Sequence, residues 1–248
     1  MTSSRSSIFP FLVASLVVLS GCAAGPSNSQ ELTLGSFEVG DTGPGGGIIF
    51  FVSDDPFPCG AEMRDTCTYL EVAPDGWSGG DKDPLARWSG TVDRKVGTQI
   101  SLGFGYQNTL AAVAQDPTPG TAITLADSYA NNGKTDWFLP SQGELNELCK
   151  YAHQQTTGDI TVMCDDSGSL RSGFEIVCYW SSSDDYVEQL AAADPELATA
   201  LVITGHGHAE SDSLNRPATH AWAQHYNDGH PGNRYKTNAY KVRPVRAF

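Results

Sequence analysis

Residues 136–148, DWFLPSQGELNEL, carry the clearest structural signal in this 248-residue sequence. Ser141 and Glu144 have the spacing of a capping box, in which each side chain bonds the backbone N–H of the other residue and so starts a helix. Apolar residues then recur at positions i, i+3, i+4 and i+7, which form one helix face. These residues are Leu145, Leu148, Cys149 and Ala152. The pattern predicts an amphipathic helix that begins after Ser141 and ends near His153.

Shorter elements flank this helix on both sides. Two more helices are predicted at about 106–115 and 122–131, and Asn227-Asp228-Gly229 indicates the turn of a β-hairpin. The 26 glycines and 14 prolines indicate many loops. We therefore predict a loop-rich α+β domain in which two or three short helices pack on a small antiparallel sheet. Strands are predicted at 48–52, 69–72, 176–182, 219–226 and 239–245.

The charge balance excludes one broad class of function. The chain has 15 Lys and Arg residues against 29 Asp and Glu residues, a formal net charge of −14. Nucleic-acid binding needs a basic surface that replaces the counterions of phosphates, so no nucleic-acid partner is expected. Residues 229–248 reverse this balance, since they contain five basic residues and no acidic one. This basic end is a candidate surface for an anionic ligand.

The first residues have the features of an export signal. Arg5 precedes an apolar segment at 8–19 that is short for a membrane span, and the lipobox-like LSGC ends at Cys22. We predict that residues 1–21 are a lipoprotein signal peptide, that Cys22 is lipidated, and that residues 22–37 are a flexible tether. An ordinary secretory peptide with an incidental cysteine is the alternative. The expected location is the cell envelope, at the outer membrane or cell surface, where acyl chains attach the protein to the membrane.

Five further cysteines suit an exported protein, because disulfides form outside the cytoplasm. Cys59 and Cys67 flank a short polar loop, and Cys149 and Cys164 bracket a segment that leaves the predicted helix. These two local pairs are the predicted disulfides, and the second would stabilise the domain by about 3 kcal/mol in a chain-entropy estimate. Cys178 is left over. We expect it to be buried in a strand, with a catalytic thiol as the alternative.

The patterns of common metal and cofactor sites are missing from the sequence. The glycine-rich segment at 40–47 precedes a strand and has no following lysine, so it predicts a turn rather than a phosphate loop. The histidines lack the spacing of a zinc site, and the acidic pairs lack that of an EF-hand. We therefore expect a non-catalytic protein without a metal or cofactor.

Several short motifs follow one another along the chain. They are GDTGPGGGIIFFV at 40–52, YLEVAP at 69–74, DWFLPSQGELNEL at 136–148, YWSSS at 179–183, AW at 221–222, DG at 228–229 and VRPVRAF at 242–248. Together these motifs resemble one bacterial family, that of the C-terminal domain of the Legionella collagen-like adhesin, over roughly residues 38–248. The resemblance implies a C-type-lectin-like fold, related to that of formylglycine-generating enzymes. It also implies binding, since the characterised adhesin binds sulfated polysaccharides. The chain departs from the family in a longer connection, an insertion at about 184–219.

Aromatic and charged residues in the last third of the chain are the candidate ligand contacts. Aromatic rings offer stacking surfaces, and guanidinium and ammonium groups pair with sulfate or carboxylate groups of a glycan. The alternative is that the tryptophans are core residues and the arginines pair with carboxylates of the domain. The candidates are Trp180, Asp184, Trp222, Arg234, Lys236, Tyr240, Arg243 and Arg246.

These observations together predict a non-catalytic, lipid-anchored envelope protein with an adhesin-like domain that recognises an extracellular glycan or protein. Two alternatives belong to other classes of function. One is an envelope enzyme that acts on cell-wall or sulfated polysaccharide, and the other is a purely structural envelope protein.

Overall fold

Two segments of the chain, residues 36–184 and 218–248, are described in a computed structural model, and they form three helices and eight strands. The predicted signal peptide, Cys22, nearly all of the tether and the interior of the insertion lie outside these residues. No helix within them is long and apolar enough to cross a membrane. In chain order the elements are β1 (Ile48–Cys59), β2 (Asp65–Val72), β3 (Leu85–Ala86), α1 (Gly105–Gln115), α2 (Ala122–Asp127), α3 (Gln142–Ala152), β4 (Cys178–Trp180), β5 (His220–His225), β6 (Pro231–Tyr235), β7 (Tyr240–Lys241) and β8 (Val245–Ala247).

The strands form two small sheets. One has the order β1-β2-β8, and the other has the order β3-β7-β4-β5-β6. Neighbouring strands are antiparallel except β4 and β7, which pair in parallel at Tyr179 and Lys241. The short helices and long loops complete the α+β architecture, so the predicted fold class is confirmed. The finer assignment to a C-type-lectin-like fold stays a prediction.

Helix α3 begins as the sequence predicted but is buried on more than one face. The Glu144 N–H donates to the Ser141 hydroxyl at 3.3 Å, and the Ser141 N–H donates to the Glu144 carboxylate at 2.7 Å. The predicted apolar face is buried, but so are Glu147 and Lys150, which pair at 2.6 Å. The loop that follows α3 covers this second face, since Lys150 also donates to the Asp159 carbonyl.

The end of the chain contributes to both sheets, which corrects the prediction of a single strand at 239–245. Strand β7 covers only Tyr240–Lys241, and Val245–Ala247 then forms β8 in the other sheet. Pro244 lies between them and has no N–H to donate, so one ladder cannot continue through it. Phe138 and Val245 exchange two backbone hydrogen bonds of 2.9 Å. The end of the chain therefore connects both sheets with the segment that precedes α3.

Both predicted disulfides are present, and each closes a local loop. Cys59–Cys67 links the ends of β1 and β2, and β1 continues well beyond the predicted strand to reach it. Cys149–Cys164 attaches the loop after α3 to the helix. Cys178 is free and buried in β4, as expected. Burial raises the pKa of its thiol to about 11, so the thiol is protonated at neutral pH and is a poor nucleophile.

The glycine-rich turn wraps around a buried carboxylate. Glu71 accepts hydrogen bonds from the N–H groups of Gly45 and Gly47 at 2.9–3.1 Å, and from Arg246 at 2.9 Å. A Cβ atom at Gly43 or Gly45 would lie 2.5–2.6 Å from the carboxylate oxygens. The predicted turn is confirmed. Glycine is needed at Gly43 and Gly45 because the backbone approaches Glu71 closely there, and not because φ is positive.

Glu144 is expected to make the domain less stable as the pH rises. Its carboxylate accepts N–H groups from Ser141, Gly103 and Gly105, but burial dominates and raises its pKa from 4.5 to about 7. Between these values the folded state keeps a proton that the unfolded state has lost. The free energy of unfolding therefore falls by up to about 1.4 kcal/mol per pH unit. This contribution is complete below pH 4.5 and is lost as the pH rises through about 7.

Urea titrations at about pH 5 and about pH 8 measure this loss. Glu144→Gln should remove most of it, because the amide does not titrate. Glu62→Gln is the control, since the Glu62 side chain is 69% exposed, and it should keep the pH dependence of the wild type. The same pH dependence in Glu144→Gln as in the wild type would contradict the prediction.

Candidate functional site

A cleft beside the end of α3 combines cationic, aromatic and acidic side chains. Its volume is about 370 Å³, within the range of ligand pockets. Strands β1 and β2, the last turn of α3, the loop at 171–174 and the segment between β7 and β8 all contribute to it. We name it the Arg171 cleft. It is lined by Ile48, Val72, Ala73, Pro74, Asp75, Tyr151, Arg171, Ser172, Phe174 and Arg243.

Arg171 is held against the last turn of α3. Its backbone N–H donates to the Ala152 carbonyl and its Nε to the Tyr151 carbonyl, both at 2.7 Å. Its guanidinium lies 4.3 Å from the centre of the Tyr151 ring, within cation–π range. A cation is favourable there because the carbonyl end of a helix carries partial negative charge. The two terminal nitrogens of Arg171 bond to no residue in the described parts of the chain, so their donors are available to a ligand.

Arg243 is the second cation of the cleft, but its donors are used by the protein. It is 3% exposed and donates to the carboxylates of Asp83 and Asp75 and to the carbonyls of Ala73 and Gly173. Burial alone would lower the pKa of Arg243, but the charge and hydrogen bond of Asp83 outweigh burial and raise it. Arg243 therefore shapes the cleft, whereas Arg171 supplies its available donors.

Two aromatic rings give the cleft an apolar surface. Tyr151 and Phe174 meet edge to face, with ring centres 6.3 Å apart. Burial raises the pKa of the Tyr151 hydroxyl, so the phenol is neutral at ordinary pH. Asp75, with a side chain that is 58% exposed, places one negative charge on the same cleft. The arrangement fits a ligand whose anionic group pairs with Arg171 while its apolar part contacts the rings.

One group of metal-ligating side chains comes together in the described residues. Cys149, His153 and Cys164 place their ligand atoms within 4.8 Å of one another, with the two sulfurs joined as a disulfide. A disulfide does not offer the thiolates that a soft metal ion needs. In the oxidised protein these residues are therefore structural.

One catalytic pattern, GWSGG at 76–80, matches the Gly-x-Ser-x-Gly motif of serine hydrolases. In those enzymes the serine occupies a sharp turn from a strand into a helix. Here the segment forms turns and bends between β2 and β3, and Ser78 is exposed without a hydrogen bond to any described histidine or carboxylate. The match therefore gives no support to a catalytic function.

The eight ligand contacts predicted from the sequence fall into two groups. Trp222, Arg234 and Tyr240 are half-buried. The other five are buried, and their charged groups pair within the protein, as the alternative interpretation of the arginines expected. Of the eight, Arg243 is the one that lines the Arg171 cleft. The ligand role of the others stays a prediction. The buried five are Trp180, Asp184, Lys236, Arg243 and Arg246.

Arg171, the central residue of the cleft, carries no sequence signal of its own. It lies in a loop without hydrophobic periodicity, and only its bonds to Tyr151 and Ala152 bring it to the end of α3. The predicted Cys149–Cys164 disulfide is the sequence feature that could have placed Arg171 near α3, because it attaches the preceding part of the loop to the helix.

The fold and the cleft define a class of protein: a loop-rich α+β domain closed by two local disulfides, with a basic and aromatic cleft of ligand size. The chain belongs to the Lcl C-terminal domain family, whose family model matches residues 86–246. This result confirms the family that the motifs resemble and indicates an adhesin-like domain. The matched range contains α3, Arg171 and Arg243. No curated protein matches the chain.

Proposed function

We propose that this protein is a lipid-anchored cell-envelope protein whose adhesin-like domain binds an acidic group of an extracellular glycan, or of a protein, in the Arg171 cleft. The observation that carries the proposal is the guanidinium of Arg171. It is fixed through Nε and through the Tyr151 ring, while its terminal nitrogens bond to no described residue. These nitrogens form a fork that matches a carboxylate or a sulfate group.

The position of the guanidinium favours binding in two further ways. Because Arg171 is already held in place, little side-chain freedom is lost when a ligand binds. The net charge of −14 would repel an acidic polymer over most of the surface, so attraction has to come from a local cation such as this one. A short acidic segment of a glycan fits these conditions better than a long polyanion.

Arg171→Gln is expected to weaken the binding of acidic glycans about tenfold or more, because a charge-assisted hydrogen bond contributes about 1.5–3 kcal/mol. The measurement is a titration of the full chain in detergent against the uronate-bearing and sulfated glycans that it selects on an array. Arg171→Lys should recover only part of the affinity, since lysine keeps the charge but lacks the fork.

Arg64→Gln is the matched control, because it removes a charge whose side chain is 83% exposed on the β1–β2 loop, and it should leave the affinity unchanged. Glycan binding that survives Arg171→Gln would exclude this cleft as the site. Binding to extracellular proteins with none to any glycan would exclude the glycan as the ligand.

Lipid attachment is expected at Cys22, because the lipobox thiol is the group that is acylated. In cells given a fatty-acid analogue, the wild-type chain should carry the label in a membrane fraction, and Cys22→Ser should lose it. Cys178→Ser is the control at a buried, free cysteine and should keep the label. An unlabelled wild-type chain in the cytoplasmic fraction would contradict both the anchor and the envelope location.

A further inference from the structure

The buried imidazole of His153 has one ring nitrogen, Nδ1, that bonds to no described group. His153 is 5% exposed, and its Nε2 lies 2.7 Å from the Tyr226 carbonyl. A carbonyl oxygen accepts hydrogen bonds but cannot donate them, so Nε2 carries the proton and Nδ1 of the neutral ring carries the lone pair. Nδ1 is buried and has no hydrogen-bond partner among the described residues.

Two cysteine sulfurs lie next to this imidazole. Cys149 precedes His153 by four residues, so their side chains share one face at the end of α3, and Cys164 reaches them from the following loop. One ring nitrogen and both sulfurs lie within 4.8 Å of one another. Tetrahedral zinc sites have Zn–S distances of about 2.3 Å and Zn–N distances of about 2.0 Å, which place neighbouring ligand atoms about 3.5–3.8 Å apart. One ion can therefore reach all three atoms once the sulfurs separate.

The surrounding backbone would keep these residues together without the S–S bond. The Cys164 N–H donates to the Asn146 side chain at 2.9 Å, and Gly229 packs so closely on Cys164 that a Cβ would lie 2.2 Å from its carbonyl oxygen. Histidines that bind metals commonly donate their other N–H to a backbone carbonyl. The Tyr226 carbonyl accepts the Nε2 N–H of His153 in this way.

We propose that reduction of the Cys149–Cys164 disulfide converts these three residues into a binding site for Zn²⁺ or another thiophilic divalent cation. A dithiol reductant gives the two sulfurs two electrons and two protons and becomes a disulfide itself. The cation then displaces the two thiol protons and binds both thiolates and Nδ1 of His153. Its charge compensates two thiolates that would otherwise be buried without a partner. The disulfide and the metal site are thus alternative states of one centre.

Cobalt(II) is the probe, because it adopts the geometry of zinc and gives a thiolate-to-metal charge-transfer band. The full chain is first reduced with a phosphine, which takes up oxygen from water and becomes a phosphine oxide. The reduced chain is expected to bind one Co²⁺ ion. Added Zn²⁺ should displace this ion and remove the band. The oxidised chain is expected to give no band. Cys149→Ser/Cys164→Ser should abolish the band, whereas Cys59→Ser/Cys67→Ser, which removes the other disulfide, should retain it. His153→Gln should lower the affinity about tenfold or more.

A reduced wild-type chain without the band, or a band that survives in Cys149→Ser/Cys164→Ser, would overturn the proposal. If reduction abolishes the near-ultraviolet circular dichroism, added Zn²⁺ should restore it, and failure to do so would also overturn the proposal. Nitrogen NMR of the oxidised chain tests the imidazole without any reduction. A proton on Nδ1 of His153, in place of Nε2, would leave no ligand atom for the metal ion and would contradict the proposal.

Discussion

Arg243→Met is expected to lower the free energy of unfolding by about 3–5 kcal/mol, because it removes one partner of a buried ion pair. Arg243 Nε lies 2.7 Å from the Asp83 carboxylate, and the two side chains are 3% and 1% exposed. Burial raises the pKa of Asp83 even with Arg243 beside it, so the carboxylate alone would be still less favourable. The carbonyls of Ala73 and Gly173 also lose a donor. Urea unfolding of the disulfide-intact chain, followed by tryptophan fluorescence, measures the loss.

Two variants separate this ion pair from general effects of the substitution. Arg243→Met/Asp83→Asn should be less destabilised than the sum of its single variants, because the buried charge is removed together with its partner. Arg64→Met, at an 83% exposed side chain, should change stability by less than about 0.5 kcal/mol. A loss below about 1 kcal/mol in Arg243→Met would contradict the structural role and restore Arg243 as a candidate ligand contact.

Lys236→Met should cost a similar amount, about 3–5 kcal/mol, for the same physical reason. Lys236 and Asp184 both have fully buried side chains, and Nζ lies 2.8 Å from the carboxylate. Nζ also donates to the Arg94 carbonyl at 2.7 Å and lies 4.4 Å from the centre of the Trp88 ring. Methionine keeps the apolar stem against Trp88, so the loss reports the charge and its bonds rather than packing.

A double-mutant cycle with Asp184→Asn tests the Lys236 prediction. The asparagine has nearly the shape of aspartate but no charge, and Thr98 still donates to the side-chain oxygen at this position. We expect Lys236→Met/Asp184→Asn to be less destabilised than the sum of the single variants, with a coupling energy of about 0.5–3 kcal/mol. Strict additivity, or a Lys236→Met effect below about 1 kcal/mol, would show that the pair does not stabilise the fold.

The predictions from sequence succeeded where the interacting residues are close together in the chain. The capping box of α3 joins Ser141 and Glu144, which are three residues apart. The disulfides join cysteines that are eight and fifteen residues apart. In such cases the short separation along the chain restricts the geometry, so a pattern in the sequence predicts the contact itself.

For the basic end, residues 229–248, spacing along the chain does not reveal which groups are in contact. Its cations resemble a surface patch when only 229–248 is considered, because no acidic residue lies among them. The carboxylates that pair with Lys236, Arg243 and Arg246 come from 52, 160 and 175 residues away. Most of the basic end is thus internal, and the guanidinium that offers donors to the Arg171 cleft comes from a different loop.

Family membership, the α+β class, the start of α3 and the cysteine pairs follow from the sequence alone, because each depends on recurring motifs or on neighbours along the chain. The tertiary structure alone decided which cations pair inside the protein and that Arg171 offers donors to a cleft. A buried cation is favourable only where a carboxylate meets it in space, and separation along the chain does not reveal that distance.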